Sequence, residues 1–144
     1  MSAVSNADWI VHCDGSAKPN PGPMGLGAVI QAPDGTQHAL SHLAPGKGCN
    51  NEAEIRALMH ALREARRLGA TSLLVFCDNQ IVVEQLAGGD ARPIARLAPL
   101  FDEARQLLRS FEGIGLRWIP RHRNAEADAL ARAALGLAAH QSLS

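Results

Sequence analysis

Cysteine is scarce in this 144-residue sequence: Cys13, Cys49 and Cys77 are odd in number and lack a Cys-x-x-Cys spacing. That argues against a disulfide framework or a zinc knuckle, and leaves small buried hydrophobes in a reducing compartment as the simple reading. Charge of one sign is also lacking, since fourteen Lys and Arg balance fourteen Asp and Glu, an unusual total for a chain that binds a polyanion. No apolar run approaches the ~20 residues that cross a bilayer, and the first residues lack the basic-then-apolar pattern of a secretory signal. The expectation is a soluble cytoplasmic protein without a membrane partner. Repeats and low-complexity tracts are absent too. With 47% hydrophobic residues the chain can bury a core without a metal or disulfide to hold it, so one domain at 9–138 is expected, with tails at 1–8 and 139–144.

What is present reads as alternating elements. "WIVHCD" (Trp9 to Asp14) has the character of a strand, and the Gly/Pro-rich stretch after it that of a turn. "GLGAVIQA" (Gly25 to Ala32) reads as a second strand, "PDG" as a tight turn and "QHALSHL" (Gln37 to Leu43) as a third strand. After the expected loop "APGKGCN", Ile55, Leu58, Met59, Leu62 and Leu68 recur at helical spacing until Gly69. "TSLLVFCD" (Thr71 to Asp78) suits a strand covered on both faces. Helices follow at about Asn79 to Ala87 and from "RP" to Phe111, then a strand at Gly115 to Pro120 and a helix from Ala125 to Leu137. The order βββαβααβα implies an α/β fold: a mixed sheet with helices on its faces.

On that scaffold the acids converge. Asp14 ends the first strand, Asp78 ends the fourth, Glu52 and Glu54 open the long helix, and Asp128 lies in the first turn of the last. Ligands of open α/β sheets bind at the carboxyl ends of the strands. Carboxylates sharing such a crevice repel, by ~4 kcal/mol per pair at about 4 Å and an effective dielectric of 20, so a cation belongs among them. Oxygen-only ligands favour Mg²⁺ or Mn²⁺ over zinc. Each acid also has a plain reading: Asn51 and Glu54 fit a capping box, Asp78 could cap the next helix, and Asp128 could complement a helix dipole. Asp14 has no capping duty. Between Glu52 and Glu54 helix geometry does not decide, because both flank the apolar arc at similar angles. If Asp14 and Asp78 face a site, Cys13 and Cys77 face the core.

Four stretches carry a family likeness over residues 9 to 136. "DGSAKPNPGPMGLGAVI" resembles the first-strand motif of type 1 ribonuclease H, "NNEAEIRAL" its helix motif, "CDNQIVV" its third and "WIPRHRNAEADALAR" its last. The resemblance implies the ribonuclease H-like fold, a five-stranded sheet of order 3-2-1-4-5 with strand 2 antiparallel. It places the family's four-carboxylate metal site on Asp14, Glu54, Asp78 and Asp128, and it is this alignment that favours Glu54 over Glu52. It implies two-metal hydrolysis of the RNA strand of RNA–DNA hybrids with Mg²⁺, Mn²⁺ being possible, leaving 5′-phosphate and 3′-hydroxyl ends. Backbone groups of Gly15 and Ser16 would then approach the RNA sugar, whose 2′-hydroxyl marks RNA. Asn20, Asn50, Asn51 and Gln80 would line the minor groove of the hybrid, although Asn20 and Asn50 also fit turn and cap roles.

His122 matches the family's mobile-loop histidine, and an imidazole suits proton transfer near neutrality. The loop to Asp128 is short, however, and Arg121 and Arg123 beside His122 could hold phosphates. His38 and His42 share a strand face that is expected to meet solvent. Two departures from the family pattern stand out. Cys49 occupies a position where relatives commonly have threonine, so a hydroxyl contact to a DNA phosphate is expected to be lost. Residues Gly88 to Arg96 are too few for the basic, Trp-bearing protrusion of longer enzymes, so weaker substrate binding is expected. With the four site acids set aside, fourteen basic residues face ten acids, a balance of +4, and Arg117, Arg121, Arg123 and Arg132 cluster near the last motif. The expected partner is the hybrid alone, with no obligate protein partner and a monomeric state. A catalytically silent hybrid-binding module, or another nuclease on the same fold, is the competing reading. Intact acids disfavour the first, because a pure binder gains nothing from carboxylates facing phosphate; the Asn-Asn pair and the "DGSAKPNPGP" turn disfavour the second.

Overall fold

The computed structural model describes residues 8–87 and 94–137. Along it run β1 (Trp9–Ala17), β2 (Gly22–Gln31), β3 (Gln37–Gly48), α1 (Asn50–Arg67), β4 (Ser72–Cys77), α2 (Gln80–Ala87), α3 (Ala98–Arg109), β5 (Gly113–Trp118) and α4 (Ala125–Ala134). Short 3₁₀ turns at Ala95–Leu97 and Arg121–Arg123 precede α3 and α4. The strands form one sheet of order β3-β2-β1-β4-β5. β2 is antiparallel to both neighbours, while β1, β4 and β5 run parallel. This is the ribonuclease H-like arrangement expected from the resemblance.

Helix α1 is buried along most of its length because its apolar residues occupy more than one stripe. Leu58, Ala61, Leu62 and Ala65 meet Val11, Cys13, Ile30, Leu73 and Val75 of the sheet. Ile55 and Met59 turn the other way, against Val82, Leu97, Phe101 and Ala104. Alanine on the sheet side lets the helix come close: a Cβ added to Gly15 would overlap the backbone carbonyl of Ala53. Helix α4 covers the opposite face, where Gly27 lies under the Ala127 carbonyl and Ser41 Oγ donates to the Leu130 carbonyl at 2.7 Å. The helix packed on it thus requires Gly15 to be small, and Gly15 holds the acid-bearing end of α1 down on β1.

Several boundaries differ from the sequence reading. β1 does not stop at Asp14; pairing with β2 carries it on to Ala17. β2 begins at Gly22, and β3 absorbs most of the expected loop "APGKGCN", because the β2–β3 ladder resumes past an irregularity between Pro23 and Gly25 with Gly22 opposite Gly48. α4 ends at Ala134, three residues short of Leu137. Asp8, assigned to the tail, is buried at the head of β1. The remaining tail residues 1–7 and 138–144 lie outside the described residues, as do 88–93 of the segment expected to be too short for a protrusion. Among the described residues no helix is long and apolar enough to cross a membrane.

Gly27→Ala drives a methyl into the α4 backbone and should lower unfolding free energy by roughly 1–3 kcal/mol, the usual cost of overpacking. Urea unfolding followed by circular dichroism checks this, and an unchanged midpoint would show that α4 can lift away freely.

Candidate functional site

Three carboxylates meet at one rim of the sheet. Asp14 projects from β1 on the face that α4 covers, Glu54 comes from the second turn of α1, and Asp78 follows the last residue of β4. One oxygen from each lies within 4.8 Å of the others. Asp14 and Glu54 are each only 5% exposed. Burial is the main reason why the Asp14 carboxyl is pushed up to about 7, with Asp78 and Asp128 adding repulsion and a hydrogen bond with Glu54 opposing the rise. Glu54 is raised well above the ordinary carboxylate range by burial and then by Cys77 and Asp14. Asp78 is raised by burial and held back by Asn124 and Arg121. Asp128 lines the same cavity and interacts with Asp14, but lies outside the tight cluster of three.

The cavity in front of these acids has a volume of about 570 Å³, and Lys18, Arg121 and Arg132 contribute cationic side chains to its wall. A buried, all-oxygen donor set whose members repel one another fits a hard divalent ion. The acidic cluster can therefore coordinate a divalent metal.

Each acid's plain reading can now be tested. Glu54 does not close a capping box, because α1 is capped by Cys49, whose Sγ accepts from the Glu52 N–H at 3.4 Å. Glu52, the rival, pairs instead with Arg56 Nε at 2.8 Å. Asp78 does not cap α2; Asn79 Oδ1 accepts from the Val82 N–H at 3.1 Å. Cys49 also receives the Arg96 guanidinium at 3.4 Å. Partial burial pushes its thiol up, but the Glu52 amide and Arg96 outweigh that and leave it below the usual thiol range.

Gly15, Ser16, Asn50, Gln80 and Arg121 line the cavity with the acids. Asn20 does not reach it: its Oδ1 accepts from the Asn50 N–H at 3.0 Å, while Asn50 Oδ1 accepts from the Ala17 N–H at 2.8 Å. These two asparagines tie the β1–β2 turn to the start of α1, which answers the turn-and-cap reading of both. Asn51 Oδ1 accepts from Asn79 Nδ2 at 2.8 Å, linking α1 to the approach of α2. His122 is exposed on the turn before α4 and outside the cavity lining, and Arg123 borders a separate small cavity with His12 and Glu126. His42 is exposed, as read, and its ring stacks on His60 with ring centroids 4.7 Å apart.

Four contributors escaped the sequence reading. Lys18 and Asn79 line the cavity. Cys77, read only as a core residue, donates its thiol to Glu54 Oε2 at 3.7 Å. Asn124 is 2% exposed and donates Nδ2 to Asp78 Oδ2 at 2.9 Å. Its place one residue before a helix would have marked it as an ordinary cap; no local signal ties it to Asp78.

Fold and acid centre together define a ribonuclease H-like protein, and comparison with known proteins narrows the class. A family profile described as "Reverse transcriptase-like" matches residues 12–134. The structure of RNase H1 from the halophilic archaeon Halobacterium salinarum superposes with a TM-score of 0.84 at 33% identity, covering 90% of this chain and 98% of that one. LC11-RNase H1, solved in complex with an RNA/DNA hybrid, gives 0.81 at 30% identity over 90% and 97% of the two chains. A bifunctional protein of Mycobacterium tuberculosis is 40% identical over 134 residues, 92% of this chain, which spans 37% of that relative's length. The chain belongs to the ribonuclease HI family.

A raised carboxyl pKa stabilises the fold while the proton is bound. That contribution is fully present below the ordinary carboxylate range and is lost as pH rises through about 7 for Asp14. Ion-free protein should therefore melt lower at pH 8 than at pH 5.5, and Mg²⁺ or Mn²⁺ should restore more at pH 8. Asp14→Asn should raise the ion-free melting temperature at pH 8 by about 4 °C for each kcal/mol of repulsion removed. Differential scanning calorimetry reads all three; equal ion effects at both pH values would contradict the assignment.

Proposed function

We propose that this chain is a metal-dependent endoribonuclease that hydrolyses the RNA strand of RNA–DNA hybrids, leaving 5′-phosphate and 3′-hydroxyl ends. The observation that carries it is the convergence of Asp14, Glu54 and Asp78 within 4.8 Å at the floor of an open cavity. The hybrid held by its relative LC11-RNase H1 supports the substrate class.

In this reading Asp14, Glu54 and Asp78, with Asp128 at the margin, hold divalent ions of the Mg²⁺ or Mn²⁺ class. When bound, such ions supply an acidified water and neutralise charge at the leaving 3′ oxygen. The protein's own groups do the rest. Lys18, Arg121 and Arg132 draw a phosphate backbone into the cavity. Gly15 and Ser16, at the cavity wall beside Asp14, present backbone groups to the ribose. Gln80 at the start of α2 reads the groove from the other side, and His122, exposed on the turn outside the cavity lining, is given its proton-transfer role by the family likeness alone. Asn50 and Asn51 serve by fixing the cavity wall, since their side-chain oxygens already accept from Ala17 and Asn79.

Labelled hybrid should be cut within the RNA strand in Mg²⁺ or Mn²⁺ and left intact in EDTA. Asp78→Asn should slow cleavage by about 10³-fold, the equivalent of several kcal/mol of lost charge stabilisation. Parental cutting by the variant, or cutting in EDTA, would overturn the proposal. Three cations in the cavity wall also set the salt dependence of hybrid binding: log K against log salt should have a slope near −3, from about −0.9 per neutralised phosphate. Filter binding checks this, and a slope steeper than about −6 would reveal a far larger basic contact surface.

A further inference from the structure

Asn124 stands at the position before α4 where a side-chain oxygen ordinarily accepts from the first free N–H groups of the helix. It makes no such bond. Its Oδ1 is buried without a hydrogen-bond partner among the described residues. The amino end does the bonding: Nδ2 donates to the Cys13 carbonyl at 2.9 Å and to Asp78 Oδ2 at 2.9 Å. The amide's orientation is forced, because turning it over would set an oxygen against two acceptors. On the main chain, the Asp128 N–H donates to the Asn124 carbonyl at 3.1 Å. A single residue is thus bonded to the peptide leading into Asp14, to the carboxylate of Asp78 and to the amide of Asp128.

A residue retained only to start α4 would use its oxygen and leave its nitrogen to solvent. Here the cap is forgone, the oxygen is stranded, and both donors are spent where negative charge collects. Only a primary amide supplies two N–H donors on one nitrogen with no charge of its own; serine offers one donor, and aspartate offers acceptors. The bond to Oδ2 ties Asp78 to a neutral donor at a place where its acidic neighbours would otherwise push it away. We propose that Asn124 is the positioning residue of the acid centre, locking Asp78 to the β1 backbone beside Asp14 and thereby setting the affinity for a divalent ion. Its catalytic consequence rests on the ribonuclease reading above; its effect on ion binding does not.

The test is titration of Mn²⁺ into purified protein by isothermal calorimetry, beside steady-state cleavage of hybrid. Asn124→Ala should weaken Mn²⁺ binding by about tenfold or more, the range found when a partner behind a metal ligand is removed. Asn124→Ser, with one donor left, should fall between parent and Ala. The variant's kcat should drop by a similar factor with KM for hybrid unchanged, since a side chain 2% exposed touches no substrate. Parental Mn²⁺ affinity in Asn124→Ala, whatever its melting temperature, would overturn the proposal, and so would a rise in KM at unchanged kcat. If the Ala variant does not fold, Asn124→Ser is read by the same criteria. Should the parent bind Mn²⁺ yet cut no hybrid, the functional reading fails while the titration still decides the role of Asn124.

Discussion

Oxygens of Asp14, Glu54 and Asp78 lie within 4.8 Å of one another, and two of the three residues are almost fully buried. At an effective dielectric of 20, each pair of unit charges at about 4 Å opposes the other by ~4 kcal/mol, and burial adds the cost of lost hydration. The protein meets this in two ways. Burial and the neighbouring acids raise the proton affinity of Asp14, pushing it up to about 7. Neutral donors are also aimed at the oxygens, the Cys77 thiol at Glu54 and the Asn124 amide at Asp78. Neither response cancels the charge, and a divalent cation does. The fold around it holds the site in an electrostatically opposed state that a divalent cation can relieve.

Holding it so requires elements that do not yield. α1 brings Glu54 to the rim because Gly15 and Ala53 allow helix and sheet to touch backbone to backbone. α4 brings Asp128 across the other face in the same manner over Gly27. Asn20 and Asn50 fasten the β1–β2 turn to the start of α1, and Asn51 and Asn79 fasten α1 to α2. Asparagine recurs at these joints because an uncharged amide can give and accept hydrogen bonds beside a crowded set of anions without adding to their repulsion.

Much of this was readable from the chain. The helical period of Ile55, Leu58, Met59 and Leu62 announced α1, and the apolar run at Leu73 to Cys77 announced a covered strand, since burial leaves its imprint on residue type. Strand ends were less readable. β3 continues through "APGKG", a loop by composition, because β2 is there to pair with it. The choice between Glu52 and Glu54 was open to helix geometry and settled by surroundings: Arg56 takes one, Asp14 and Cys77 enclose the other.

By itself the amino-acid order determined the kinds of element, the sheet's mixed character and the candidate acids, because periodicity and turn residues are local properties of a chain. Which acids share a cavity was decided only in three dimensions. Asp14, Glu54 and Asp78 lie 40 and 24 positions apart along the chain, and their proximity arises from strand order and helix docking. The tie from Asn124 to Asp78 was likewise invisible, since a hydrogen bond that spans 46 positions leaves no trace in local pattern.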